Sequence, residues 1–194
     1  MLLHLVRHGP SSQDPSEPAA NWVLTDRAHI EIGKLKASGV LPVKAAWFAS
    51  PEQKAADTAN LLARSEVTLL ADLREAERAA GWVVDFDAMV RASFRYLEVS
   101  AMPGWEPLQQ TRRRVRAAVD ATVRALDTRS TEIVMVGHGT AWTLLVAELT
   151  EHPPDLDTWS RMTMPDHCSI DLAQGRLVSG WGDWQRGDGP GTAG

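Results

Sequence analysis

Two of the six histidines, His8 and His138, share one local setting. Each follows a short apolar run and precedes a glycine, in Arg7-His8-Gly9 and Gly137-His138-Gly139. A glycine after the histidine lets backbone approach a ligand closely and leaves N–H groups pointing into the crevice. One such histidine alone reads as an ordinary hydrogen-bonded residue at a strand end. Two in one chain, one with an adjacent arginine, describe an anion pocket. Arg7 offers a planar fork to two phosphate oxygens, and His138 adds a further donor. A neutral imidazole at His8 can attack phosphorus and split one hard displacement into two easier ones. Phosphoryl transfer is mostly positioning and charge offset on the equatorial oxygens, which clustered cations supply.

Strands must carry these residues to one place. The continuous apolar runs at 2–6 and 133–136 predict two buried strands, each ending at one of the histidine motifs. Further strands are expected at 45–49, 67–70, 168–172 and 176–178, the last two joined by a turn at Gln174-Gly175. Helical spacing marks 25–38, 86–97, 108–126, 139–150 and a short stretch at 157–162. Ser50-Pro51-Glu52-Gln53 has a capping serine, a proline at the first helical position and a glutamine three residues after the cap; it predicts a helix from 50 to 64. The helices starting near Ser50 and after Gly139 could each aim an N-terminus at the anion. Strands alternating with helices predict an α/β fold: a three-layer sandwich whose mostly parallel central sheet has helices on both faces and an antiparallel edge hairpin. Ligands in such sheets bind at the carboxyl ends of the strands. Residues 1–186 are expected to form a single domain, and the Gly-rich stretch 187–194 a disordered tail.

Composition narrows the function classes. The 194 residues hold 20 Lys plus Arg against 25 Asp plus Glu, a net charge of −5 with neutral histidine, and 44% are hydrophobic. This is the balance of a globular chain with a real core rather than a disordered one. The acidic excess argues against a nucleic-acid surface, and no run reaches the roughly eighteen apolar residues of a membrane helix. The single Cys168 excludes an internal disulfide and fits a reducing cytoplasm; the N-terminus lacks the basic region of a signal peptide. His4, His29, His152 and His167 are scattered without zinc-ligand spacing, so no metal site is expected. Arg112, Arg113, Arg114 and Arg116 read as a solvated helix face, with Arg114 a candidate for structural duty beneath the site.

Leu5-Val6-Arg7-His8-Gly9 resembles the signature of the histidine phosphatase superfamily, which includes cofactor-dependent phosphoglycerate mutases and small-molecule and phosphoprotein phosphatases. The resemblance extends over nearly the whole chain. Ser50-Pro51-Glu52-Gln53-Lys54-Ala55-Ala56-Asp57-Thr58-Ala59 looks like the segment that normally reads Ser-Pro, two variable residues, Arg-Ala, one residue, Gln-Thr-Ala. Leu73-Arg74-Glu75 is similar to the segment carrying the general acid. Residues 106–114 resemble the Gly-Glu-Ser stretch with its downstream arginine. Val136-Gly137-His138-Gly139 matches the second histidine motif, and Asp166-His167-Cys168-Ser169-Ile170 is similar to the Asn-Ala-Ser-Val segment. The resemblance implies that His8 is the phosphorylated nucleophile, that Arg7 and His138 hold phosphoryl oxygens, and that Glu75 protonates the leaving oxygen and then activates water. A raised pKa would favour that last task. Glu77 is the competing acid, and an exposed charge is the plain alternative for Glu75.

The sequence also departs from the family pattern. The second pocket arginine falls on Lys54 and the glutamine on Asp57; lysine keeps the charge but loses the bidentate fork, so weaker phosphate binding is expected. The first loop, Pro10-Ser11-Ser12-Gln13, lacks the asparagine usual in mutases, while Ser11 remains a phosphate contact, as does Gly139. Trp105-Glu106-Pro107 replaces Gly-Glu-Ser. Trp82, Trp105 and Glu106 are candidates for the substrate pocket, as is Trp142, with ordinary packing the alternative for each tryptophan. The chain is short of the insertion that mutases use for a sugar acid. The expected activity is hydrolysis of a phosphomonoester through a phosphohistidine on His8, with no metal and no cofactor. The expected partner is a small phosphomonoester or inorganic phosphate, with no nucleic acid or membrane; the expected location is cytoplasmic, and a homodimer is left open. The alternatives are a non-catalytic phospho-ligand binding protein with a decayed site, and a phosphoglycerate mutase.

Overall fold

A computed structural model describes residues 1–79, 83–126 and 132–186; Trp82 and the 187–194 tail lie outside the described residues. Its apolar runs form six strands, β1 (Leu2–Arg7), β2 (Ala45–Ala49), β3 (Val67–Leu69), β4 (Glu132–Gly137), β5 (Asp166–Asp171) and β6 (Arg176–Ser179). They pair in the order β3-β2-β4-β1-β5-β6. The ladders from β3 through β2 and β4 to β1 are parallel, whereas β5 runs antiparallel to β1 and forms the edge hairpin with β6. This is the expected α/β architecture.

The helices are α1 (Asp26–Ala37), α2 (Gln53–Leu62), α3 (Phe86–Ser93), α4 (Leu108–Ala125), α5 (Gly139–Leu149) and α6 (Leu156–Arg161). Pleat alternation splits β1 between two cores. Leu3 and Leu5 join Ile133, Met135, Cys168 and Ile170 against Val115 and Val119 of α4 and Trp142 and Leu145 of α5. Val6 joins Val134, Val136, Trp47 and Ala49 against Ala28, Ile32 and Leu35 of α1 and Ala55, Ala59 and Leu62 of α2. Helices therefore cover both faces of the sheet, and β4, apolar on both sides, lies within it.

One start signal is overturned. α2 begins at Gln53, with Glu52 rather than Ser50 in the capping position and no side-chain cap. The Ser50 amide donates to Val136 O at 2.9 Å, which holds this residue in line with the sheet. Its hydroxyl accepts from Glu52 N at 3.3 Å and lies 2.9 Å from His138 Nε2, so the serine serves the second histidine motif instead.

Candidate active site

Strand pairing brings the two histidines together. Arg7 at the end of β1 is in register with Gly137 at the end of β4, and the His8 amide donates to Gly137 O at 3.0 Å. The residues that follow leave adjacent parallel strands side by side, with ring centroids 5.3 Å apart and the planes inclined by 62°. Both side chains are buried. His8 Nδ1 is 2.7 Å from Gly9 O. A carbonyl can only accept, so the proton sits on Nδ1 and Nε2 carries a free lone pair. Burial, then the neighbouring His138, Arg7 and Lys54, push the His8 pKa well below its ordinary value, so the ring is neutral. Burial is also the main cause that takes His138 to about 3.

Two glycines make room for this arrangement. A Cβ on Gly137 would meet Trp142 Cζ2 at 2.5 Å; that indole is fully buried and donates through Nε1 to Val6 O at 2.8 Å. Trp142 is therefore a packing residue beneath the strand ends, not a pocket wall. A Cβ on Gly139 would stand 3.4 Å from Arg7 Nε, so this glycine lets the guanidinium lie against the first turn of α5. Arg7 donates to Met162 O at 2.7 Å, and its buried Nε has no partner among the described residues. His138 Nδ1 is likewise unpartnered.

Lys54 is not the open cation that its motif position suggests. It is buried, with Nζ 2.6 Å from Glu52 Oε2 and 2.6 Å from Ala19 O. Glu52, a residue that the sequence reading passed over, is the acid at the centre of the site. Its other oxygen accepts from Glu75 N at 2.8 Å and lies 3.5 Å from His138 Nε2. A glutamate at the start of a helix reads as solvated; only contacts with segments far along the chain bury it.

Glu75 lies at the N-terminus of α5. Oε1 accepts from Ala76 N at 2.9 Å and Ala141 N at 3.0 Å, while Oε2 accepts from Thr140 N at 3.0 Å. Burial alone would raise its pKa, but the positive charge of Arg78 and these backbone donors outweigh it and hold the carboxyl at about 2. The raised pKa expected of a resting acid is thus reversed: helix-terminal N–H groups favour the anion. Glu77, the competitor, is exposed. Glu106, a candidate for the substrate pocket, makes an ion pair with Arg114 at 2.8 Å and accepts from Glu77 N at 3.0 Å. Arg114 also donates to the carbonyls of Asp72, Arg74 and Glu75, clamping the segment that bears Glu75. Ser11 forms a backbone bridge with Leu24, and its hydroxyl makes no hydrogen bond among the described residues. Asp57 accepts from Gln53 Nε2 at 2.8 Å on α2.

A second residue absent from the sequence reading of the site is Arg78. Its Nη2 donates to Thr140 Oγ1 at 3.0 Å, and its guanidinium lies 5.1 Å from the Phe86 ring centroid and 5.0 Å from that of Trp105. Set among Arg74, Glu75 and Glu77, it reads in sequence as surface charge. Away from the site, two of the scattered histidines meet: His4 Nδ1 is 3.0 Å from His167 Nε2, and His4 Nε2 is 2.9 Å from Glu132 Oε2. Among the described residues, no group of three or more His, Cys, Asp or Glu could hold a metal ion, and no helix is long and apolar enough to cross a membrane.

No curated protein matches the sequence. Solved structures match the fold. That of mycobacterial glucosyl-3-phosphoglycerate phosphatase superposes with a TM-score of 0.71 at 20% identity, over 92% of this chain and 97% of that one. Bacillus stearothermophilus YhfR does so at 0.72 and 20% identity, over 93% and 96%. The sequence model of the histidine phosphatase superfamily (branch 1) matches residues 3–176 and so takes in both histidine motifs and the sheet from the second residue of β1 to the first of β6. The chain belongs to the histidine phosphatase superfamily.

Proposed function

We propose that this protein hydrolyses a phosphomonoester through a phosphohistidine on His8. The observation that carries this reading is the His8 tautomer: Nδ1–H is bound to Gly9 O at 2.7 Å, so a neutral Nε2 stands ready beside Arg7 and His138. In the first half-reaction, Nε2 forms a bond to phosphorus as the bond to the leaving oxygen breaks. Arg7 and His138 hold the equatorial oxygens as charge moves onto the apical ones.

The ionised state of Glu75 sets a condition on the proton. A carboxylate at about 2 cannot donate until it has been protonated. A phosphomonoester loses its second proton near pH 6, so below that it arrives as a monoanion. The substrate's own proton then passes to Glu75 and on to the leaving oxygen, giving a neutral alcohol. In the second half-reaction, Glu75 takes a proton from water as the water oxygen bonds to phosphorus and the P–N bond breaks. Hydrogen phosphate and neutral His8 result, and Glu75 passes its proton to the departing phosphate, which leaves as dihydrogen phosphate. The preference for hydrolysis over phosphoryl exchange rests on the sequence, which is short of the insertion that mutases use for a sugar acid.

The test is turnover of 4-nitrophenyl phosphate between pH 5 and 7 by the parent and by His8→Ala, with acid-quenched trapping of the phosphoenzyme. Activity with a phosphohistidine is expected from the parent and neither from the variant. Undiminished turnover by His8→Ala would refute the mechanism. Orthophosphate binding without turnover by the parent would favour a phospho-ligand binding protein.

A further inference from the structure

We infer that Arg78 is the second guanidinium of the phosphate site, binding the phosphoryl oxygen that the Lys54 ammonium, already held by Glu52, leaves without a cation. The inference rests on the phosphohydrolase reading for its ligand and on the following geometry for its place.

Arg114 shows what a structural arginine looks like in this fold: three backbone carbonyls and a carboxylate occupy its guanidinium. Arg78 is the opposite case. Its one hydrogen bond among the described residues is to the Thr140 hydroxyl, and its Nε is buried with no partner. Among those residues no carboxylate lies within ion-pair distance of it. The carboxylates of Glu75, Glu52 and Glu106 act on it only through space, and most of its N–H groups are left without an acceptor, which is costly for a cation taken out of water. Phe86 and Trp105 hold the guanidinium from their ring faces, which restricts its orientation while consuming none of its N–H groups.

Its location is the start of α5, beside Glu75. The Thr140 hydroxyl that receives Arg78 belongs to the same residue whose amide binds Glu75. The neighbouring Gly139 faces Arg7 Nε. Arg7 and Arg78 therefore flank the first two residues of α5, directly after His138. The buried unpartnered nitrogens include Nε of both arginines, so two guanidinium donors lacking acceptors belong to this one site, beside the unpartnered Nδ1 of His138. The family pattern places its second arginine at the position of Lys54. Here the Lys54 ammonium contacts Glu52 and Ala19, and Arg78 offers a guanidinium from another segment.

The experiment measures orthophosphate affinity by calorimetry, KM and kcat for 4-nitrophenyl phosphate, and the phosphate-free melting temperature, for the parent, Arg78→Met and Arg78→Lys. Loss of one charge-assisted contact should weaken orthophosphate by about 10- to 100-fold in Arg78→Met, with partial recovery in Arg78→Lys. The phosphate-free melting temperature should fall far less than the affinity, because methionine and lysine keep the packing against Phe86 and Trp105. Unchanged orthophosphate affinity with a raised KM would overturn the assignment and place Arg78 on the leaving group. A fall in melting temperature that parallels the loss of affinity in both variants would overturn it in favour of structural support. A parent that binds orthophosphate through Arg78 but forms no phosphohistidine would refute the reaction and uphold the contact. A parent that binds no orthophosphate would refute both.

Discussion

Replacing Glu52 by glutamine removes one charge from a pair whose side chains are only 6% and 8% exposed and whose charged atoms are 2.6 Å apart. The substitution is otherwise mild: the remaining amide oxygen can still accept from Glu75 N, as Oε1 does now. What it leaves is a buried ammonium with Ala19 O as its other acceptor. Breaking a buried pair in this way costs about 3–5 kcal/mol. For a chain of this length each kcal/mol moves the melting temperature by about 2–4 °C, so a fall of roughly 6–20 °C is expected. The same vacated charge should attract an anion. Orthophosphate at about 100 times its Kd returns roughly 2.7 kcal/mol, and Glu52→Gln should reach that state at a lower phosphate concentration than the parent. The double variant Glu52→Gln with Lys54→Met removes both charges and should recover most of the lost stability while binding phosphate more weakly than the single variant. Thermal unfolding across a phosphate titration reads all three. A single variant melting within about 2 °C of the parent, or a double variant no more stable than the single, would refute the claim that Glu52 neutralises Lys54.

Two further outcomes are expected. His138 and His167 are both held at about 3 by burial, far below 6.5, so the unfolded chain binds more protons than the folded one between those limits. Stability is therefore complete above pH 6.5 and falls with acid by about 1.4 kcal/mol per pH unit for each such histidine; urea unfolding at pH 7, 6 and 5 should show the slope, and His167→Asn should make it shallower. The two glycines around His138 should separate stability from function. Gly137→Ala drives a methyl into the buried Trp142 indole at 2.5 Å and should lower stability by about 1–3 kcal/mol, whereas Gly139→Ala, 3.4 Å from Arg7 Nε, should spare the melting temperature and weaken orthophosphate binding.

The parts of the molecule legible in the sequence are those specified by local pattern. The apolar run at 45–49 coincides with β2, and the two runs that deliver His8 and His138 become neighbouring parallel strands. Residues whose role depends on distant partners are less legible. Ser50 carries every local mark of a helix cap, yet its hydroxyl is used 88 residues away by His138. Glu52 and Arg78 sit among charged neighbours and read as surface. Glu52 becomes a site residue because Glu75, 23 positions later, donates its amide to it. Arg78 becomes one because Thr140, 62 positions later, and two aromatic rings take it out of water. The protonation state of Glu75 was also beyond reach, since it follows from where the first turn of α5 lies in space. Spacing identifies which residue types could meet; it does not say which charges cancel when they do.

β1 lies between two full ladders, parallel to β4 on one side and antiparallel to β5 on the other. Segments open independently only where few backbone bonds must break at once. The strand leading to His8 is bound along both edges, and the His8 amide is itself tied to Gly137 O. Its amide hydrogens are therefore expected among the slowest to exchange, and freeing the strand requires breaking two ladders at once. A strand anchored on both edges fixes where His8 stands relative to His138, whatever happens at the sheet's outer hairpin.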